Sequence, residues 1–111
     1  MSNDYTFVES LTQSVEIAAG STVSKTLHGD DRSKVVLFGF DAGQELSEHT
    51  ASVPATIQIL SGEIELTLGG KTEVAKAGSW TWMPASLPHS LVAKAPSVML
   101  LVLHKDQQEQ S

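Results

Sequence analysis

Cysteine is missing from all 111 residues. Its absence removes disulfide scaffolds, thiolate metal sites and cysteine nucleophiles together. Arginine is nearly missing: Arg32 is the only one, so a guanidinium fork on a phosphate or carboxylate can form at a single place. That weighs against an enzyme of nucleotides or sugar phosphates. Positive charge is scarce overall, with 7 Lys and Arg against 13 Asp and Glu and a net charge of −6. Little is left to neutralise a phosphate backbone, which argues against a nucleic-acid partner. Long apolar runs are lacking too. The longest, Val35 to Phe40 and Val98 to Leu103, are strand-sized, so no membrane partner is expected. The opening "MSNDYTFVES" has neither the basic start nor the apolar stretch of a signal peptide, and the cytoplasm is the expected location.

What is present points to one domain built from strands. The chain is too short for a second core. Helical periodicity is weak throughout, whereas short β-rich segments bounded by Gly, Pro, Asp and Ser recur. Strands are predicted at Val15–Ile17, Thr22–Leu27, Lys34–Phe40, Gln44–His49, Ala55–Leu60, Glu63–Leu68, Thr72–Ala75, Ser79–Met83, His89–Ala93 and Val98–Leu103. Such spacing indicates a sandwich or barrel. The polar end "KDQQEQS" reads as a frayed terminus.

One hairpin, "LTLGGKTEV", can be read closely. Ile64, Leu66 and Leu68 alternate with Glu63, Glu65 and Thr67, so one face is buried. Keeping that alternation across the turn pairs Leu66 with Val74 and Leu68 with Thr72, through a three-residue turn with a bulge. The run "SVMLLVLH" does not alternate, so both of its faces need cover. The N-terminal segment or a second subunit would serve.

The stretch "GQELSEHTASVPATIQILSG" carries the chemistry. Gly43 is followed after five residues by His49, and Gly62 closes the stretch. Further on, "GSWTWMPASLPHSLVA" places Gly78, Pro84 and His89 at fixed spacing. The glycines punctuate strands where positive φ is needed, and Pro84 ends a strand before the turn toward His89. Strand alternation gives His49, Ala51, Ala55, Ile57 and Ile59 one parity. Glu45 shares it, at some distance along the strand, whereas Glu48 and Gln58 have the other. Trp80 and Trp82 share a face of their strand and suit core or interface packing. Met83 points the other way. His28 and the Asp30–Asp31 pair lie in a polar turn with Arg32 and Lys34. No strand-turn-helix setting for a Ser-His-Asp triad is present.

With these residues the chain resembles a small single-domain cupin of the RmlC-like kind, from about Val35 to Leu103. The resemblance implies an all-β fold, a cupin β-barrel or small jelly roll of two packed antiparallel sheets, with the N-terminal strands of residues 1–34 packing on the barrel or on a dimer partner. It also implies that His49 and His89 face each other in the barrel. The metal motif is degenerate: Ala51 stands where the family has a second His, Ala55 where it has Glu, Ser86 replaces a Gly and Ala93 an Asn. The expected ligand pocket is formed by His49, Ala51, Ala55, Ile57, Met83 and His89, with one or both tryptophans. A metal held by His49 and His89 alone, whether Zn, Ni, Fe or Mn, would lack the usual third protein ligand. Sugar epimerases of this family pair a histidine base with a tyrosine acid inside the barrel, and the only tyrosine here is Tyr5. The expected function is binding of a small molecule in the barrel without a full catalytic metal site. The alternative is a metal-dependent dioxygenase, isomerase or lyase using His49 and His89. A homodimer is the expected assembly.

Overall fold

The computed structural model describes residues 5–105; residues 1–4 and the tail from residue 106 onward, most of the stretch read as frayed, lie outside the described residues. The described chain forms nine strands: β1 (Thr22–Gly29), β2 (Ser33–Phe40), β3 (Glu45–His49), β4 (Ala55–Ser61), β5 (Glu63–Leu68), β6 (Lys71–Lys76), β7 (Trp80–Met83), β8 (His89–Ala93) and β9 (Ser97–His104). All neighbours are antiparallel, in a five-stranded sheet of order β1-β2-β9-β4-β7 and a four-stranded sheet of order β3-β8-β5-β6. The two pack face to face as a jelly roll, and among the described residues no helix is long and apolar enough to cross a membrane.

The core lies between the inner faces. Strand alternation delivers it: Ala55, Ile57 and Ile59 of β4 are buried while Gln58 between them is exposed. Phe40, Ile64, Leu66, Ala75, Met83, Leu91, Ala93 and Met99 complete the cluster. Phe38 and Phe40, two apart on β2, stack with ring centroids 5.6 Å apart.

Nine of the ten predicted strands form, and the tenth does not. Val15–Ile17 is irregular backbone, laid against the outer face of the five-stranded sheet. Its carbonyl at Glu16 and the Val15 side chain sit so close over Gly39 that a Cβ there would collide with the Glu16 oxygen. With its own backbone crossing a face and not joining an edge, the segment pairs with no ladder. Leu37 and Val98, both on that outer face, are buried. The non-alternating run of β9 therefore has cover from the N-terminal segment over part of its outer side.

The β5–β6 hairpin corrects the predicted register. It closes in two residues, with Leu66 opposite Glu73 and Leu68 opposite Lys71. Gly69 and Gly70 hold φ of 57° and 90°, the backbone of a type I′ turn, which sets register locally. Because β6 is an edge strand, Val74 stands on the solvated face, 57% exposed, and Ala75 enters the core in its place.

Candidate functional site

β3 and β8 run side by side in the four-stranded sheet, and His49 is the direct cross-strand partner of His89. Leu46 pairs with Leu91 one step further along, so three residues of β3 span what two residues of β8 span. This bulge turns both Leu46 and His49 toward the barrel. It also reverses the parity read from the sequence: Glu45 pairs with Val92 and is exposed, so it cannot reach the histidines.

The two imidazoles meet edge to face, with ring centroids 4.2 Å apart and planes inclined by 61°. Each is held the same way. His49 Nδ1 donates to the carbonyl of Ser47 at 2.8 Å, and His89 Nδ1 donates to the carbonyl of Leu87 at 2.8 Å. A carbonyl oxygen can only accept, so both Nδ1 atoms carry hydrogen, and each ring in its neutral form presents an Nε2 lone pair. Among the described residues neither Nε2 has a hydrogen-bond partner.

Beside the rings lies a cavity of about 70 Å³, walled by Phe38, Leu46, Ile57, Leu91, Met99 and Leu101, with His49, His89 and Ser90 as its polar residues. His49 is exposed and His89 half-buried, so the pair stands at the mouth. The loop before β8 frames that mouth. Its Ser86 amide donates to the Ala51 carbonyl at 2.8 Å, tying it to the loop after β3. Ser86 has φ of 70°, the left-handed backbone that the replaced glycine of the family pattern would adopt without strain.

Of the residues expected to form the pocket, the structure brings together His49, Ile57 and His89. Ala55 and Met83 pair across β4 and β7 inside the core and do not reach the cavity wall, and Ala51 is half-buried in the loop after β3. The tryptophans are not pocket residues. Both project from the outer face of β7, with Trp80 64% and Trp82 54% exposed, because Thr81 and Met83 take the inward positions. Phe38, Leu46, Leu91, Met99 and Leu101 were missed as wall residues. Alternation along β2, β8 and β9 would have marked most of them, but which sheet positions lie opposite the histidines depends on packing.

Among the described residues no group of three or more His, Asp or Glu could hold a metal ion. Two imidazoles are the donor set, and they do not fit a catalytic metal held by three protein ligands. His28, read as a solvated turn residue, lies within β1 and pairs with Val35, with its Nε2 2.8 Å from Asp30 Oδ2 and its Nδ1 3.3 Å from Thr6 Oγ1. It lines a groove beside Leu27 and Val35 and does not line the cavity of His49 and His89.

Comparison with known proteins places this geometry in its class. The chain belongs to the cupin superfamily: residues 36–103 match the cupin domain. A conserved protein of unknown function from Streptococcus pyogenes is 34% identical with a TM-score of 0.85, covering 96% of this chain and 93% of that one. A cupin superfamily protein from Desulfitobacterium hafniense is 25% identical with a TM-score of 0.83, covering 86% and 88%. An RmlC-like cupin from Desulfovibrio desulfuricans is 27% identical with a TM-score of 0.80, covering 90% and 97%. No curated protein matches the chain.

Proposed function

We propose that this cupin binds a small molecule at the barrel mouth through the Nε2 atoms of His49 and His89. The supporting observation is the pair of Nδ1 bonds to Ser47 and Leu87, which leaves the Nε2 of each neutral ring free to accept, in two rings 4.2 Å apart that line an apolar cavity. Small-molecule sites combine an apolar wall with a few convergent polar groups. Two acceptors select a ligand that brings donors, such as a hydroxyl or an amide N–H. The cavity of about 70 Å³ is far below the roughly 300–1,000 Å³ of sites that enclose drug-sized ligands. A group of a few heavy atoms enters, and the rest of the ligand stays at the mouth.

A second reading is favoured by the same bare Nε2 atoms, because a backbone bond on the other nitrogen is how metal-ligating histidines are oriented. A Zn, Ni, Fe or Mn ion would then complete its shell with water or substrate, as in a dioxygenase, isomerase or lyase. The two readings separate in one experiment on tag-free protein: elemental mass spectrometry after dialysis, beside ligand-observed NMR with a library of hydroxyl- and amide-bearing fragments. Metal-free protein that binds such fragments is expected. His49→Ala and His89→Ala should each weaken binding about 3- to 10-fold, the worth of one hydrogen bond of ~0.5–1.5 kcal/mol. Near-stoichiometric metal that disappears in the double variant would establish the second reading, and fragment binding untouched in both single variants would remove the first.

A further inference from the structure

β6 and β7 are the last strands of their sheets, and residues of both border one cleft on the open side of the sandwich. The cleft has a volume of about 430 Å³ and is lined by Glu73 from β6 and by Trp80, Thr81 and Trp82 in succession along β7. That volume falls within the roughly 300–1,000 Å³ of small-molecule sites. Glu73 pairs with Leu66, which is buried, and directly opposed residues share a face. A carboxylate therefore stands on the inner face of an edge strand. Among the described residues its ion pair is with Lys71, at 3.5 Å and with both side chains more than half exposed, so it is held loosely. Trp80 and Trp82 are 64% and 54% exposed and lie two positions apart on β7, about 7 Å along the strand. An edge charge by itself discourages strand pairing between molecules, but it gives no reason for two exposed indoles beside it.

We propose that this cleft binds a small molecule through a methylated ammonium group, with the cation against the indoles of Trp80 and Trp82 and Glu73 as its counter-charge. Charge selects the sign. Among the described residues lining the cleft, Glu73 is the only charged one, and the chain carries a net charge of −6. A cation finds a partner there and an anion finds none. The indoles select the kind of cation. An aromatic face carries the negative end of the ring quadrupole, and among aromatic side chains tryptophan attracts a cation best. A primary ammonium brings three donors that each need an acceptor, while the Ser79 hydroxyl is buried in the wall, out of a ligand's reach. A methylated ammonium spreads its charge over carbon and has no such need, so aromatic faces and one carboxylate suffice. The cleft shares no lining residue with the cavity of His49 and His89, and the inference stands independently of the barrel ligand.

The chain's only two tryptophans both line the cleft, so intrinsic fluorescence of the unmodified protein reports on it. Choline is the probe, titrated to about 50 mM at constant ionic strength, since an exposed site of this kind binds on the order of 1 mM. A saturable change in emission is expected. The neutral tert-butyl analogue of choline, with carbon in place of nitrogen, has the same shape without the charge. It should bind about 5-fold more weakly, the factor that ~1 kcal/mol of cation–π attraction gives. Glu73→Gln should weaken choline about 3-fold and leave the neutral analogue unaffected. Trp82→Ala, read through Trp80, should weaken choline about 5-fold. If that variant does not fold, the comparison of choline with its neutral analogue decides the matter in the wild type. No saturable change by about 50 mM choline overturns the inference. Equal binding of the neutral analogue overturns it too, because burial alone would then hold the ligand, as does choline binding untouched by Glu73→Gln.

Discussion

Each imidazole at the mouth of the cavity donates its Nδ1 hydrogen to the carbonyl two residues before it, so a single backbone contact sets ring orientation and the chemistry of the free nitrogen. The facing of His49 and His89 was implied by the family resemblance of their motifs; their tautomer was not, because it depends on where the Ser47 and Leu87 carbonyls point. Ser86 shows the same limit. Its substitution for glycine was visible, but the left-handed φ of 70° it retains was not. A non-glycine residue in that conformation costs about 1–2 kcal/mol, and glycine gives back ~0.5–1 kcal/mol through a looser unfolded chain. Ser86→Gly is therefore expected to stabilise the fold by about 0.5–1 kcal/mol, read as a raised urea midpoint. Asp30 offers a pH test. Its hydrogen bond with His28, then those from the Arg32 and Ser33 amides, lower its carboxyl from 3.8 to about 2. A value depressed by folding contributes stability that is complete above about pH 5, where the unfolded carboxyl is fully ionised. It is lost as pH falls through about 2. The stability difference between wild type and Asp30→Ala should narrow over that window, and a difference that is flat with pH would contradict the pairing.

Elements follow local rules that can override alternation. The β5–β6 hairpin was recognisable from its two glycines, yet reading the apolar pattern through the turn gave the wrong register. Gly69 and Gly70 impose a two-residue turn, and an edge strand with one solvated face tolerates Val74 outside. Gly70 has open space around it, so an alanine there would feel the backbone alone. Gly70→Ala should cost about 1–2 kcal/mol in urea denaturation, whereas a three-residue turn with freer geometry would lose little. The bulge in β3 is the other override. Counting by twos from His49 put Glu45 inside, and one extra residue between Leu46 and His49 puts it outside. Nothing in "ELSEH" announces a bulge. The irregular Val15–Ile17 segment likewise has strand composition, but it crosses a face where no ladder is available.

At the scale of the molecule, the jelly roll was legible because short strands at regular spacing have few ways to close a core, and motif spacing narrowed these to one family. What spacing did not reveal is how the two sheets divide the work. The four-stranded sheet carries the histidine pair and presents it to the cavity, while the five-stranded sheet turns its outer face to the N-terminal segment and to the tryptophans. Neither alanine of the first motif lines the cavity: Ala55 is packed in the core and Ala51 lies half-buried in the loop after β3. The account as a whole rests on two adjacent imidazoles whose Nδ1 hydrogens are bound to the backbone, so that each neutral ring offers Nε2 as an acceptor. The most direct measurement is a long-range proton–nitrogen NMR correlation of His49 and His89 in mildly alkaline buffer, assigned with the two single-alanine variants. Both rings are predicted to be Nδ1-protonated, with Nε2 resonances that move when a hydroxyl-bearing fragment is added. Nε2-protonated rings would contradict the account, because the barrel would then offer donors where two acceptors are required.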